Sequence, residues 1–159
     1  MASITVLLHT ENDALRLGRA LETVYACDDI LVVDHGSGDA TVRVAREYGA
    51  KVVEAKAGAS PGDYIQFAKA GWILCLDPRE SLTEKLAASL FEWKSESLHG
   101  GAPAFSMFLR EETAEGWVEV PAAQTRLIPK TWNSWKGTFP VQEPAALALE
   151  GELLRFVFP

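Results

Sequence analysis

Short apolar runs alternate with segments of helical periodicity over the first 98 residues. The runs predict four strands, at residues 4–8, 30–33, 51–54 and 72–76. The first run is rich in β-branched residues and has the pattern of a strand covered on both faces. A helical segment follows each strand, and in the last one Leu86, Leu90 and Trp93 share a face. This β-α-β-α-β-α-β-α order predicts a three-layer α/β fold with a mostly parallel sheet.

Capping residues mark the ends of these helices. Asn12 or Asp13 is expected to cap the first helix and Asp39 the second, because their side-chain oxygens accept hydrogen bonds from the free amides at a helix start. Gly49 suits the end of the second helix. A small, breaker-rich loop at 57–62 precedes a short third helix, and Thr83 is expected to cap the fourth.

The pattern changes after residues 99–101, which read His-Gly-Gly. Short strands are predicted at residues 105–110, 117–120 and 124–128, an aromatic loop at 132–137, and interrupted apolar runs at 147–158. No internal repeat and no linker divides the sequence. We therefore expect one domain over residues 1–159, whose second half adds antiparallel strands to the same sheet.

Composition narrows the classes of partner. A hydrophobic fraction of 48% with 23% charged residues favours a folded protein. The formal net charge of -7 disfavours bulk attraction to nucleic acid or to anionic lipid, so neither is an expected partner. Arg126, Lys130 and Lys136 form a candidate local patch for phosphates.

The spacing of the cysteines and the lengths of the apolar runs indicate where in the cell the protein is expected. Cys27 and Cys75 lack the spacing of a metal site and fit a reducing compartment. The sequence starts without a basic leader, and no run approaches the ~20 apolar residues that a membrane helix needs. We expect no transmembrane segment and a cytoplasmic location.

Two of the predicted strands end at an aspartate. The run at 30–33 stops at Asp34, and the run at 72–76 stops at Asp77. The carboxyl ends of parallel strands in an open α/β sheet border the crevice in which such folds bind ligands. The sequence therefore predicts a ligand crevice that carries both carboxylates.

The first half carries a specific series of motifs: TEND at 10–13, VVDHGSGDAT at 32–41, AREYGAKV at 45–52 and WILCLDPRE at 72–80. Weaker matches follow at 126–127, 135–137 and 141–143. In this order the motifs resemble glycosyltransferase family 2, the inverting group with the GT-A fold, and especially its short bacterial members that act on cell-envelope sugars. The resemblance extends over nearly the whole chain and is specific in the first half.

The resemblance implies a GT-A-like domain with a nucleotide-binding half at 1–98 and an acceptor-side half at 99–159. The donor would be a nucleotide-diphospho-sugar, with UDP-sugars favoured. The reaction would be inverting transfer to an envelope or other glycan, including lipid-linked acceptors. The residues implied in nucleotide-sugar binding are Thr10, Asp34, His35, Asp39, Asp77 and Arg79.

These residues have different implied roles. The resemblance assigns Asp34 to the uracil side of the nucleotide and Asp77 to the ribose. From the residues alone, Asp34 is either a ligand contact, which is favoured, or a turn aspartate that bonds its own loop. His35 lies in the nucleotide turn as a hydrogen-bonding candidate, whereas His9 is assigned a structural role. Asp39 is a ligand contact, a helix cap or both, and Thr10 either contacts the ribose or leads into the first helix.

Arg79 is the main departure from the family pattern, which has an Asp-Ala-Asp triplet around a divalent cation. Arg79 replaces the second aspartate of that triplet. It either pairs with Asp77 or Glu80 and closes the metal site, or it neutralises the diphosphate directly, or it is a solvated surface residue. We expect no certain cofactor, and Arg79 disfavours Mg²⁺ or Mn²⁺ at this position, even with Glu80 as a residual ligand.

Glu143 is the candidate catalytic base, by its place in the motif at 141–143. Inverting transfer needs a base that takes the proton of the acceptor hydroxyl. Asp63 and Glu119 are alternatives. Trp132 and Trp135 either stack on a sugar or pack in the core, and packing is favoured.

A non-catalytic family member is the rival interpretation. It would keep the fold, with or without the nucleotide site, and it would act as a partner or regulatory module. Arg79, the short segment at 61–66 and Gln142, which stands where the family has histidine, favour this rival. A nucleotidyltransferase is the weaker third reading, because residues 9–12 offer no glycine-rich, basic loop.

Overall fold

Four parallel strands form the first half of the sheet, in the computed structural model that describes residues 1–96 and 99–158. In chain order they are β1 (Ile4–Thr10), β2 (Asp29–Asp34), β3 (Lys51–Glu54) and β4 (Trp72–Leu76). The helices between and after them are α1 (Ala14–Leu21), α2 (Thr41–Glu47), α3 (Pro61–Tyr64) with a 3₁₀ turn at Ile65–Phe67, and α4 (Glu84–Ser95). The four predicted strands and their helices are therefore confirmed.

The remaining strands extend the same sheet. They are β5 (Glu80–Leu82), β6 (Phe105–Thr113), β7 (Gly116–Glu119), β8 (Gln124–Pro129) and β11 (Leu147–Arg155), while β9 and β10 form a separate pair that is described below. In the described residues the order across the sheet is β3-β2-β1-β4-β8-β6-β11-β5, with β7 paired to β6. β8 is antiparallel to β4 and β6, while β11 is parallel to β6 and antiparallel to β5. A largely parallel sheet with antiparallel additions is confirmed.

The central strands separate two hydrophobic cores, because alternate side chains of a strand point to opposite faces. Val6 and Leu8 of β1 enter one core, which α1, α2 and α4 cover. Leu7 enters the other core, which is covered by α3, the 3₁₀ turn and the aromatic residues Trp132 and Trp135. Packing is thus the role that the structure gives these tryptophans, and the sheet lies between two layers as predicted.

Several local predictions hold and two need correction. Ala40, and not Asp39, occupies the cap position of α2, and no described side chain caps that helix. The Thr83 side chain accepts a hydrogen bond from Leu86 N at 3.2 Å, so Thr83 caps α4. Gly49 follows α2 with φ +82°, a conformation that favours glycine. Asp13 stands at the cap position of α1, but its side chain does not cap that helix. Its carboxylate instead accepts from Glu11 N at 2.8 Å.

Two short strand pairings were not predicted from the sequence. β5 begins at Glu80, in a stretch that reads as a polar turn. β9 (Trp135–Lys136), which lies in the predicted aromatic loop, pairs with β10 (Phe139–Pro140), which follows that loop. Among the described residues, no helix has the length and apolar character needed to cross a membrane.

Candidate nucleotide-sugar site

The carboxyl ends of β1 and β2 lie side by side. In their parallel register Thr10 is the neighbour of Asp34, and Asp34 is in turn the neighbour of Glu54 on β3. Thr10 Oγ1 donates a hydrogen bond to Asp34 Oδ1 at 2.8 Å, and both residues are buried. The sheet register therefore brings together two residues that the sequence motifs singled out separately.

The Gly-Ser turn after β2 folds back on Asp34. Ser37 donates twice, from Oγ to Oδ1 at 2.6 Å and from its amide to Oδ2 at 2.9 Å. Burial alone would raise the pKa of Asp34, but the hydrogen bonds from Ser37 and Thr10 outweigh it and lower that pKa. Asp34 is therefore an anion, and Oδ2 keeps acceptor capacity because a carboxylate oxygen has two lone pairs.

Two cavities flank the Thr10–Asp34 pair. The first, called here the Asp34 cavity, has a volume of about 420 Å³ and is lined by Asp34, Gly36, Ser37, Val42, Arg46, Val52, Glu54 and Ala55. The second, called the Asp77 cleft, has a volume of about 300 Å³ and is lined by His9, Thr10, Glu11, Asp13, His35, Asp77, Pro78, Arg79 and Thr138. Of the residues implied in nucleotide-sugar binding, the fold brings all but Asp39 to one of these two spaces.

Asp39 binds the starts of two helices. Its Oδ1 accepts from Thr41 N at 3.0 Å, and its Oδ2 accepts from Ala14 N at 3.3 Å. The Thr41 hydroxyl also donates to Asp39, and this bond is the main cause of the lowered pKa of Asp39. Asp39 thus links the start of α1 to the start of α2 and orders the turn that follows His35, although Asp39 itself does not line the Asp77 cleft.

Arg79 lies against Asp77 in the second cavity. Its Nε donates to Oδ1 at 2.9 Å and its Nη2 donates to Oδ2 at 3.2 Å. Burial alone would raise the pKa of Asp77, but hydrogen bonds from Arg79 outweigh it and lower that pKa. A divalent cation needs free carboxylate oxygens, and here a guanidinium contacts both. The side chains present therefore do not fit Mg²⁺ or Mn²⁺ at Asp77.

Glu80 is not a residual metal ligand. It is 0% exposed, and Arg126 binds both of its oxygens, at 2.7 and 2.9 Å. Arg155 adds two further bonds to Oε2, at 3.0 and 3.2 Å. Glu80 Oε1 also accepts from Asp77 N at 2.9 Å, so this buried cluster holds the turn that presents Asp77.

The predicted phosphate patch is not assembled. Arg126 is 2% exposed and committed to Glu80, so it is unavailable to a ligand. Lys130 Nζ donates to the Ala68 carbonyl at 2.7 Å. Arg126 therefore forms an internal ion pair with Glu80 and is not part of a surface patch. The sequence pattern did not indicate this pair, because Glu80 and Arg126 are 46 positions apart.

His9 and His35 form a hydrogen-bonded pair in the Asp77 cleft. His9 Nδ1 lies 2.9 Å from His35 Nε2, and the His35 amide donates to the Thr10 carbonyl at 2.8 Å. Burial and the nearby His35 imidazole lower the pKa of His9 to about 4. Sequence reasoning assigned His9 a structural role. Its position at the end of the first strand, next to Thr10, was the signal that it shares the crevice.

Glu143 lies beside the start of β8. Its amide donates to Thr125 Oγ1 at 3.0 Å, and its Oε1 accepts from Ala145 N at 3.3 Å. The antiparallel register pairs Leu74 of β4 with Leu127, which brings Thr125 towards the carboxyl end of β4. Glu143 is therefore on the same edge of the sheet as Asp77, without lining the Asp77 cleft.

The alternative bases have structural partners. Asp63 accepts from Ser60 N at 2.8 Å in a capping box at the start of α3. Glu119 forms an ion pair with Arg110 at 3.3 Å on the β6–β7 hairpin. Gln142, which stands in place of the family histidine, bonds the backbone at Thr125 and Ala123.

Known proteins similar to this chain include glycosyltransferases. An uncharacterized glycosyltransferase of Rickettsia felis is 35% identical over 91 residues, which are 54% of this chain and 32% of that protein. A TPR repeat-containing protein of Synechococcus elongatus is 33% identical over 123 residues, 74% of this chain and 30% of that protein. The chain spans about a third of the length of these curated relatives. No family model matches it.

A crystal structure of Staphylococcus aureus TarS, residues 1–349, superposes with a TM-score of 0.54 and 17% identity. The superposition covers 82% of this chain and 48% of the TarS chain. With the glycosyltransferase relatives, it shows that this chain is glycosyltransferase-like and has the GT-A-like fold of glycosyltransferase family 2.

Proposed function

We propose that this chain binds a nucleotide-diphospho-sugar, specifically a UDP-sugar, across the Asp34 cavity and the Asp77 cleft. The observation that carries the proposal is the Thr10–Asp34 hydrogen bond, which joins the two spaces at the carboxyl edge of the sheet. This edge is where open α/β folds bind their ligands. The similarity to an uncharacterized glycosyltransferase over 91 residues of the chain supports the same assignment.

The chemistry of the two spaces matches the two ends of such a ligand. Asp34 and Glu54 supply anionic acceptors in the Asp34 cavity, and these suit the N–H and hydroxyl donors of a uridine. The Asp77 cleft contains Arg79 and the two imidazoles, which suit a diphosphate. The base is therefore assigned to the Asp34 cavity and the diphosphate to the Asp77 cleft.

In the proposed reaction, residues 1–98 hold the donor and residues 99–159 face the acceptor, an envelope or other glycan or a lipid-linked one. Glu143 takes the proton of the acceptor hydroxyl while that oxygen bonds the anomeric carbon. The bond from the anomeric carbon to the diphosphate oxygen breaks, and UDP leaves with its electron pair. The support for Glu143 is its place beside the start of β8, near the carboxyl end of β4.

A second candidate function is that of a non-catalytic nucleotide-binding module. The Asp77–Arg79 pair favours it, because the carboxylate that would hold a cation is already bonded at both oxygens. In this alternative the chain keeps the nucleotide site and acts on a partner protein. The two functions share the donor site and differ in whether turnover occurs.

A binding panel tests the shared part of the proposal. UDP, GDP, CMP and dTDP are titrated by calorimetry, each with and without Mn²⁺, against the unmodified chain and Asp34→Asn. We expect uridine ligands to bind best, and at ~100 times the dissociation constant they should raise the free energy of unfolding by about 2.7 kcal/mol. Asp34→Asn should lose most of this response.

Glu47→Gln is the matched control, because it removes an exposed carboxylate whose nearest cation is Arg43 at 3.7 Å. It should bind uridine ligands as the unmodified chain does. A chain that responds to none of the four nucleotides would refute the proposed function. Equal binding by Asp34→Asn would move the nucleotide away from the Asp34 cavity.

A further inference from the structure

The Asp77 cleft has an excess of negative charge. Among the described residues, three carboxylates line it, those of Glu11, Asp13 and Asp77, against the single guanidinium of Arg79. With both imidazoles uncharged, the formal sum is three negative charges and one positive charge. A diphosphate that enters this space needs added positive charge, because like charges in a partly buried site repel strongly.

Arg79 supplies only part of that charge. Its guanidinium already donates to both oxygens of Asp77, and Asp77 holds the pKa of Arg79 above its ordinary value. A divalent cation does not fit at Asp77 for the same reason. Among the described residues that line the cleft, His35 is then the remaining group that can carry a positive charge, because burial and the nearby His35 lower the pKa of His9 to about 4.

We propose that the His9–His35 pair is a proton-linked phosphate site, in which His35 gains a proton when the diphosphate of the ligand binds. This inference rests on the proposed function and adds to it a specific contact and a dependence on protons. It follows from the hydrogen bond between the two rings and from their place in the Asp77 cleft.

The hydrogen bond assigns different parts to the two rings. His9 Nε2 is buried and has no hydrogen-bond partner within residues 1–96 and 99–158, whereas His35 is exposed to the cleft. Placing the His9 proton on Nδ1 avoids burying an unpaired N–H group, and Nδ1 then donates to His35 Nε2. His35 Nδ1 carries the remaining ring proton in this state.

Protonation reverses this hydrogen bond. When His35 Nε2 gains a proton it becomes the donor, and His9 Nδ1 becomes the acceptor as its own proton moves to Nε2. The buried Nε2–H of His9 then lacks a partner within the described part of the chain, a cost that opposes this state in the free chain and that the negative charge of the bound diphosphate must offset. One proton enters from solvent, no covalent bond to the ligand forms, and the charge rises by one on His35. Since its lowered pKa keeps His9 uncharged, His9 is a positioning residue and His35 is the phosphate contact.

The surroundings of the pair favour this assignment. The charged and titratable side chains around it come from the ends of β1 and β2, from the turn after β4 and from α3: Glu11, Asp13, Asp77, Arg79 and Tyr64, with Asp34 one residue before His35. Four of these six side chains are carboxylates, and an imidazolium near them is attracted to them. Arg79 opposes it less, because its charge is paired with Asp77 at 2.9 Å.

Calorimetry with UDP-glucose tests the proposal. Both phosphates of this ligand are diesters that stay ionised from pH 6 to 8, so the ligand takes up no proton. Titrations at pH 7 in PIPES and in Tris, with EDTA present, give the number of protons taken up from the difference in heat. We expect about half a proton or more per ligand, and up to about a tenfold gain in affinity per unit fall in pH.

Two substitutions separate His35 from other groups. His35→Asn should abolish proton uptake and flatten the pH dependence of the dissociation constant. His35→Lys supplies a permanent cation, so it should bind UDP-glucose without proton uptake and without that pH dependence. His99→Asn is the matched control, because His99 stacks on Trp93 away from the cleft; it should take up protons as the unmodified chain does.

The outcomes distinguish the inference from the proposed function. Binding of UDP-glucose without proton uptake overturns the inference and leaves the function standing. Uptake that persists in His35→Asn assigns the proton to another group and also overturns it. Failure of every nucleotide to bind refutes the function, and the inference falls with it. Thermal unfolding of each variant shows that a loss of binding is not a loss of fold.

Discussion

Arg79 covers the carboxylate of Asp77 with two hydrogen bonds, from Nε to Oδ1 at 2.9 Å and from Nη2 to Oδ2 at 3.2 Å. The Arg79 amide also donates to Asp77 Oδ1 at 2.9 Å. A carboxylate at the end of a central strand is thus neutralised by a residue two positions away. This pair limits the positive charge that the Asp77 cleft offers to an anionic ligand, because the Arg79 guanidinium is already bonded to Asp77.

The first prediction is that nucleotide affinity depends little on divalent metal. Mn²⁺ should change the dissociation constant for UDP little in the unmodified chain, because Arg79 occupies the oxygens of Asp77. Arg79→Asp should bind poorly without metal and recover when Mn²⁺ is supplied, since two carboxylates then face the diphosphate. Calorimetry with and without Mn²⁺ measures both effects.

Arg43→Asp is the control for the charge reversal, because Arg43 is exposed on α2 and pairs only at 3.7 Å with Glu47. It should show no recovery by Mn²⁺. Tight binding of UDP by the unmodified chain only in the presence of Mn²⁺ would contradict the Arg79 account.

The second prediction concerns turnover. If the chain transfers sugar, Glu143→Gln should lower the rate ~10² to 10⁴-fold, because the amide cannot accept the acceptor proton. Nucleotide affinity should stay nearly unchanged, since Glu143 lies outside the Asp77 cleft. Product formation from a labelled UDP-sugar measures the rate, with Glu115→Gln, an exposed residue between β6 and β7, as control.

An unchanged rate in Glu143→Gln would place the base elsewhere. Binding without turnover in the unmodified chain, over a range of glycan and lipid-linked acceptors, would favour the non-catalytic module. The two results are separable because the same sample reports affinity and rate.

The third prediction concerns the buried ion cluster below Asp77. Glu80→Ala should lower the free energy of unfolding by about 3–5 kcal/mol, because it leaves the buried Arg126 without its carboxylate. In contrast, Glu119→Ala removes an exposed partner of Arg110 and should change stability by less than about 1 kcal/mol. Urea unfolding of both variants makes the comparison.

Glu80→Ala should also weaken nucleotide binding, since Glu80 accepts from the Asp77 amide and holds that turn. If Glu80→Ala lowers the free energy of unfolding by less than the Glu119→Ala control does, the buried cluster contributes little to stability. In that case the turn would be held by its backbone bonds alone.

The fourth prediction concerns pH and stability. Burial and the neighbouring His35 lower the pKa of His9 from 6.5 to about 4 in the folded chain. The unfolded chain therefore binds a proton more readily, and stability present above pH 6.5 is lost as the pH falls towards 4. This group should account for about 2–3 kcal/mol between pH 7 and pH 4. Urea unfolding across that range measures it.

His9→Asn should flatten the curve between pH 6.5 and 4. The lowered pKa values of Asp28, Asp34 and Asp77 act at more acid pH, because their stabilisation is lost as the pH falls from below 4 through the folded values. A slope that is unchanged in His9→Asn would assign the loss to other groups.

The parallel half of the fold could be predicted from the sequence because its signals are local. A strand's apolar run, the glycine at 49 and the cap at Thr83 depend on neighbours within a few positions. The strand-end aspartates at 34 and 77 were found in the same way. Arg79 was open between three roles, and pairing with Asp77 was one of them because only two positions separate them.

The burial of Glu80 could not be predicted from the residues near it in the sequence. A glutamate after Pro78 and Arg79 reads as a turn, yet it begins β5 and is fully buried. Its burial depends on Arg126, 46 positions away, and on Arg155, 75 positions away. Only the sheet order, which places β8 and β11 near the turn, brings these charges together.

The amino-acid sequence by itself determined the strand ends and the kinds of side chain that reach the carboxyl edge, since both follow from periodicity over a few residues. The tertiary structure decided which of those side chains meet. His9 and His35 lie 26 positions apart, and they become a hydrogen-bonded pair only because β1 and β2 align in parallel register. The donor–acceptor distance of a hydrogen bond can vary by only a few tenths of an ångström, and packing across the whole sheet sets that distance.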